Sequence, residues 1–299
     1  METHMSENGS EREGDLPIMD LPDTADDVRD FLKAMYFPSE TNRHQTLSSP
    51  YRESDGYWAL FPDSYCGILR LATKYDASPI RNIIVGALER EWPTDLYQWV
   101  PLQGHIQEEI ANYGLAMGED DSTPYWPNPV RAIRLASDYA APRVLPIAYY
   151  DLMRVLNEGY DPDVSVPKRD RDTSALTADD LRRVIRGRAA LHAALFKGLI
   201  DIPARSASCK AGDACTSGVQ AYMESCAADM RQLEHDPIYW LEVMIPRWDT
   251  ATAPASRTHA CGTCCFHMRG HLGRLRRKLW VALPEYFDVA DVVPSGWGE

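Results

Sequence analysis

The chain has 299 residues, 44% hydrophobic and 25% charged, which is enough apolar material for a sizeable core and too much for general disorder. Its formal net charge of −13, with ten acids against two arginines in the first thirty residues, argues against a broad nucleic-acid-binding surface. No basic start leads into an apolar run and no stretch is long enough to span a membrane, so seven cysteines read as reduced thiols or metal ligands of a cytoplasmic or nuclear protein.

Residues 1–15 are polar and acidic and are expected as a disordered lead-in. Leu16, Ile18, Met19 and Leu21 suit a short strand, closed by Pro22 and Asp23. Thr24 with Asp27 three residues on predicts a helix start, and Val28, Phe31, Leu32, Met35 and Tyr36 follow at helical spacing as its buried face. Residues 39–56 read as an exposed loop.

Asp63 or Ser64 is expected to cap a second helix with Ile68, Leu69, Ala72 and Tyr75 on its core face. Ser78 and Pro79 open a third, in which Ile80, Ile83, Ile84, Ala87 and Leu88 form the most regular amphipathic pattern of the chain, ended by Pro93. Trp92 and Trp99 are expected to anchor the join to later helices, including Pro129 to Asp138 and Arg143 to Leu156. Residues 157–176 read as a linker or loop, after which Thr177 and Asp180 open a long helix carrying Leu181, Val184, Ile185, Leu191 and Leu195.

In this order the segments "LPIMDLPDTADDVRDFLKAMYFP" and "GILRLATKYDASPIRNIIVGALEREWP" resemble the second half of a BTB (POZ) domain. The remainder, from "LTADDLRRVIRGRAALHAALF" to "CGTCCFHMRGHLGRLRRKLWVALPEYF", is similar to the tail of BTB-domain proteins abundant in mushroom-forming fungi. The resemblance implies a mostly α chain with one short strand: lead-in 1–15, partial BTB-like domain 16–92, helical region 93–156, linker 157–176 and a helical, cysteine-bearing region 177–299. It also implies binding to other proteins, with a cullin scaffold of the ubiquitin system among the partners.

The family's opening strands and helices, with a phenylalanine-and-histidine motif, have no counterpart in these residues, which puts the usual homodimer in question. The chain is then expected to be either a truncated gene model or a shortened form whose exposed apolar faces are covered in another way.

Cys209 and Cys215 form a C-x5-C pair and Cys261 and Cys264 a C-x2-C pair, a set of four thiolates suited to tetrahedral structural zinc. His267 or His271 could replace one ligand, and a disulfide or simply reduced thiols remain the alternatives. Cys226 and Cys66 are expected as ordinary packing residues, and the other histidines, Tyr125-Trp126 and Tyr239-Trp240 as surface or core.

Arg269, Arg274, Arg276, Arg277 and Lys278 share a helix with Leu272, Leu275, Leu279 and Trp280, which is expected to bury the latter and solvate the former. No phosphate loop, G-x-S-x-G, H-E-x-x-H or G-x-G-x-x-G occurs, so no catalytic or cofactor-binding residue is assigned. The leading expectation is a non-enzymatic adaptor or scaffold. The alternatives are a transcription-associated regulator using a zinc-bearing basic tail and a metal-dependent hydrolase.

Overall fold

A computed structural model describes residues 12–13, 16–17, 22–37, 64–104, 106, 127–157, 171–202, 205–227, 236–248 and 260–298. Helices account for 74% of them, and none is long and apolar enough to cross a membrane. The chain divides into two compact units, Met1–Ser48 with Pro62–Ile84, and Ser49–Phe61 with Val85–Glu299.

In the first unit β1 (Arg12–Glu13) pairs antiparallel with β2 (Leu16–Pro17), the sole strand pairing among the described residues. The expected strand thus has two described residues, and Ile18, Met19 and Leu21 lie outside the described set. Helix α1 (Ala25–Tyr36) begins where Thr24 predicts it, the Thr24 hydroxyl accepting from the Asp27 amide and donating to the Asp27 carboxylate.

The buried face of α1 is narrower than its apolar spacing predicts. Phe31 and Ala34 are buried, while Leu32, Met35 and Tyr36 are exposed. On the side facing α2 (Ser64–Lys74), Asp27 pairs with Arg70 at 2.6 Å and Asp23 with Lys74 at 2.5 Å, so two ion pairs accompany the apolar contact there.

Ile68, Leu69 and Ala72 of α2 are buried as expected, joined by Tyr65 and Leu71. Tyr75 is not in the core; it follows the helix, stays 46% exposed and donates its hydroxyl to Asp23 at 3.1 Å. Asp63 falls outside the described residues, and Ser64 is already helical. Helix α3 (Ser78–Glu91) likewise contains Ser78, whose hydroxyl bonds Asp76, rather than being capped by it. Within α3, Ile84 and Leu88 are fully buried while Ile80, Ile83 and Ala87 are half-buried.

The second unit is built round one helix. Helix α4 (Pro129–Asp138), capped by Asn128, leads through a 3-10 turn (Pro142–Val144) into α5 (Leu145–Asn157). Residues 147–150, 152, 153 and 155 of α5 are at most 1% exposed, the all-round burial of a central helix. Its polar members are engaged within the core: Arg154 pairs with Asp151 and Asp236, bonds Gln103 and lies over Trp99, and the Tyr150 hydroxyl donates to Asp236.

Helix α6 (Ala178–Ile200) starts with a complete Thr177–Asp180 capping box. Asp180 also accepts from the Tyr149 hydroxyl at 2.5 Å and lies near Arg134 and Arg183. Burial works against its charge, but the bonds from Thr177 and Tyr149 outweigh that and hold its pKa below the usual carboxylate value. Val184, Leu191 and Leu195 face inward with Gly187, where a side chain would lie about 2 Å from the Phe287 ring. Ile185, expected in this core face, is 70% exposed: it is one residue, or 100°, past Val184.

Helices α7 (Asp213–Ala227), α8 (Pro237–Met244), α9 (Gly262–Val281) and α10 (Leu283–Tyr286) complete the unit. Leu272, Leu275, Leu279 and Trp280 of α9 are buried as predicted, and Arg276 pairs with Glu242. Trp280 centres an aromatic cluster, with Trp99, Tyr150 and Trp297 at ring separations of 6.1, 6.3 and 5.6 Å, and donates its indole N–H to the Thr94 carbonyl. Trp92 stacks on Trp99 at 6.4 Å, so both tryptophans singled out in the sequence are core residues.

Candidate metal centre

Three separate segments of the second unit deliver four thiols to one point. Cys209 ends a short turn after Ser206, where its amide donates to the Ser206 carbonyl. Gly212 then adopts a positive φ of 61°, a turn that leads directly into α7 and sets Cys215 in its first turn. That reversal is what lets a C-x5-C spacing close on itself. Cys261 is the N-cap residue of α9 and Cys264 lies in the first turn, so the C-x2-C pair projects from a helix N-terminus.

The sulfurs of Cys209, Cys215, Cys261 and Cys264 all lie within 4.8 Å of one another, with Cys209 and Cys261 3.8 Å apart. A tetrahedron with metal–sulfur bonds of ~2.3 Å has edges of ~3.8 Å, so the arrangement has the dimensions of a zinc tetrathiolate. A disulfide needs sulfurs ~2.05 Å apart, and all four cysteines are free. Cys215 and Cys264 are buried, whereas Cys209 and Cys261 are half-buried at the rim.

Backbone amides are aimed at this sulfur cluster. The Ser206 N–H donates to Cys264 Sγ at 3.4 Å and the Cys261 N–H to Cys215 Sγ at 3.2 Å. The amide of Cys264 lowers the Cys261 thiol to about 7, whereas burial pushes Cys264 up to about 12. At Cys215 the Cys261 amide favours the thiolate, but burial and the neighbouring thiols prevail and the net shift is upward. Without a cation the cluster is therefore divided: one thiol ready to ionise, one held protonated by its surroundings. A divalent ion would remove that opposition, because four thiolates together match soft, tetrahedral zinc. The donor set, the dimensions and the amide donors fit such an ion.

The remaining sequence candidates sort cleanly. His271 faces the Gly198 carbonyl at 3.4 Å, and neither it nor His267 belongs to the sulfur group. His267 instead lines a cleft with Arg205, Ser206, Ala207 and Cys209. Cys265, adjacent to a ligand candidate, turns away and points its thiol at the Ala260 carbonyl. Cys66 is half-buried on α2, and the surroundings of the Cys226 side chain lie outside the described residues, as do Tyr125 and Trp126.

The sequence does not single out Ser206 or Gly212, because an amide donor and a left-handed turn leave no residue-type signal beyond a Ser- and Gly-rich loop. No protein-family model matches the chain, and comparison with curated proteins and with solved structures yields no match.

Proposed function

We propose that this chain is a non-enzymatic protein-interaction module whose C-terminal unit is stapled by a structural zinc ion on Cys209, Cys215, Cys261 and Cys264. The observation that carries the reading is the closure of the sulfur set. Four thiolates saturate a tetrahedral ion, leaving no position for a water or substrate, which is the design of a structural rather than a hydrolytic site. The ion would join the start of α7 to the start of α9 across more than forty residues, a long loop for the chain to close by itself.

The interaction part of the proposal draws support from two further features. The ionisable groups buried in the second unit, Arg154, Asp151 and Asp180, are engaged with one another or with their neighbours rather than opening into a cleft. Residues 16–92 resemble in order the second half of a BTB domain, with α1, α2 and α3 as its helices, and apolar residues of α1 are exposed for contact.

Metal analysis of the purified protein tests the first part: one equivalent of zinc, lost on substituting Cys215 and Cys264, is expected, and a chain purified in zinc that carries none would refute it. Enrichment of cullin scaffolds over a bead control tests the ubiquitin version, and no enrichment sinks it.

A second reading, a transcription-associated regulator, rests on the exposed Arg269, Arg274, Arg277 and Lys278 of α9. Failure of the full chain to shift any DNA at low salt ends that reading.

A further inference from the structure

Helix α6 has two apolar faces, and only one of them is packed among the described residues. Val184, Leu191 and Leu195 pack inward. Roughly 100° to 160° round the helix from Val184, Ile185, Ala189, Phe196 and Ile200 form a second stripe with spacings of four, seven and four residues, the register of a helix–helix seam. Ile185 is 70% exposed, Phe196 42% and Ile200 82%. Arg186 and Lys197 flank the stripe on one side and Arg188 on the other; all three are exposed, and none has an ion pair among the described residues. The acids of α6 are confined to its first turn, where Asp179 already pairs with Arg182 at 2.5 Å and Asp180 is buried.

We propose that this outer face of α6 is a docking surface for an acidic amphipathic helix of a partner protein, its apolar side on Ile185, Phe196 and Ile200 and its carboxylates on Arg186, Arg188 and Lys197. The charge pattern selects this occupant. A second copy packed antiparallel would bring the same three cations to the seam against a single exposed acid, the C-cap Asp201, and leave the seam net positive. A nucleic acid would use the cations but would leave three large apolar side chains facing a phosphate backbone. From Ile185 to Ile200 the stripe runs ~22 Å, matching about four turns of a partner helix.

This names a partner class for the interaction reading above, yet it needs neither the BTB-like helices nor the metal. Fluorescence anisotropy of the full chain tests it with three labelled probes: an acidic peptide of about 18 residues with leucines on one helical face, its isomer with the leucines spread round the helix, and a short DNA duplex. The first should bind saturably and the other two should not. Ile185→Ser with Ile200→Ser should weaken binding about tenfold or more while circular dichroism stays unchanged. Arg186→Glu with Arg188→Glu should abolish binding of the acidic peptide and admit one with lysines in place of its acids.

No saturation by about 1 mM peptide, equal binding of the isomer, preference for the duplex, or a self-associated protein that Ile185→Ser converts to monomer would each overturn the proposal. A chain that still captures a cullin but ignores the peptide refutes this surface and leaves the interaction reading standing. One that binds the peptide but no cullin sinks only the ubiquitin version and leaves this surface standing.

Discussion

The two ends of α9 are held by different chemistry. At its C-terminal end Leu279 and Trp280 sink into a cluster of Trp99, Tyr150 and Trp297, so that end is fixed by apolar burial and ring packing. At its N-terminal end Cys261 and Cys264 meet Cys209 and Cys215 beside a loop of Ser206, Ala207, Ser208 and Gly212, which has little apolar surface to offer. Burial at one end is indifferent to pH and metal. With the proposed ion in place the thiol end would depend on both, so that a single helix joins a permanent anchor to a conditional one.

The largest expected effect lies at the permanent end. Trp280→Ala removes the ring at the centre of the cluster and leaves the Thr94 carbonyl without its donor, and should cost about 3–5 kcal/mol in denaturant unfolding with or without zinc. A loss below about 1 kcal/mol would mean that the aromatic cluster does not anchor α9.

Chelation attacks the other end. Holding free zinc at a hundred times its Kd should stabilise the folded chain by about 2.7 kcal/mol over the stripped protein. Hydrogen exchange should localise the change to residues 205–227 and 260–266, with α5 unaffected. Because binding must displace protons, above all from Cys264, affinity should fall as pH drops across the whole neutral range, and more steeply below about 7, where Cys261 is protonated as well. Faster exchange spread evenly over α5 would erase the distinction between the two ends.

The same division explains what could be foreseen from the sequence. Leu272, Leu275, Leu279 and Trp280 repeat at helical spacing, and the Thr177–Asp180 cap is a local signature, so the buried side of α9 and the start of α6 were both legible. The four cysteines were legible as two pairs by spacing alone, although their meeting depends on how α7 and α9 pack, which no local pattern encodes. Spacing misled where one helix carries two apolar stripes. Val184 and Ile185 are adjacent and equally hydrophobic, and the packing of α6 against α5, α8, α9 and α10, with Phe287 over Gly187 and Leu275 over Gly198, decides which of them is buried. Leu32, Met35 and Tyr36 are a second case: the apolar spacing of α1 is wider than the face that meets α2, which buries Phe31 and Ala34 alone.

Asp180 separates the two acid sensitivities. Its folded-state pKa lies below the ordinary 3.8, so its contribution is complete above that value and is lost as pH falls through the folded one. The thiol centre should lose its metal several pH units higher. Asp180→Asn keeps an acceptor oxygen for Tyr149 or for Thr177 but not for both, sets an amide donor where the other oxygen stood and discards the charge facing Arg134 and Arg183, and should cost about 2 kcal/mol at neutral pH. It should also flatten the acid limb below pH 4 while leaving the metal-linked limb near pH 7 in place. If the upper limb disappears as well, the two ends of the unit are coupled and the contrast between them fails.

Gly212→Ala should have the smallest effect and is the most selective test. The added methyl group meets nothing within 4 Å, so the change is free of steric conflict with neighbours, and its whole cost is the left-handed φ of 61°. For a non-glycine residue that conformation costs about 1 kcal/mol. In the metal-free chain the loop between Cys209 and Cys215 can relax and avoid most of it, whereas four thiolates fixed on one ion cannot. The penalty should therefore appear as zinc affinity weakened about fivefold, with the melting temperature of the stripped protein nearly unchanged. Gly212→Asn, which tolerates the same φ better, should recover part of that affinity. An equal loss of stability with and without zinc would instead make this turn part of the permanent scaffold, and the conditional end of α9 would shrink to the sulfur atoms alone.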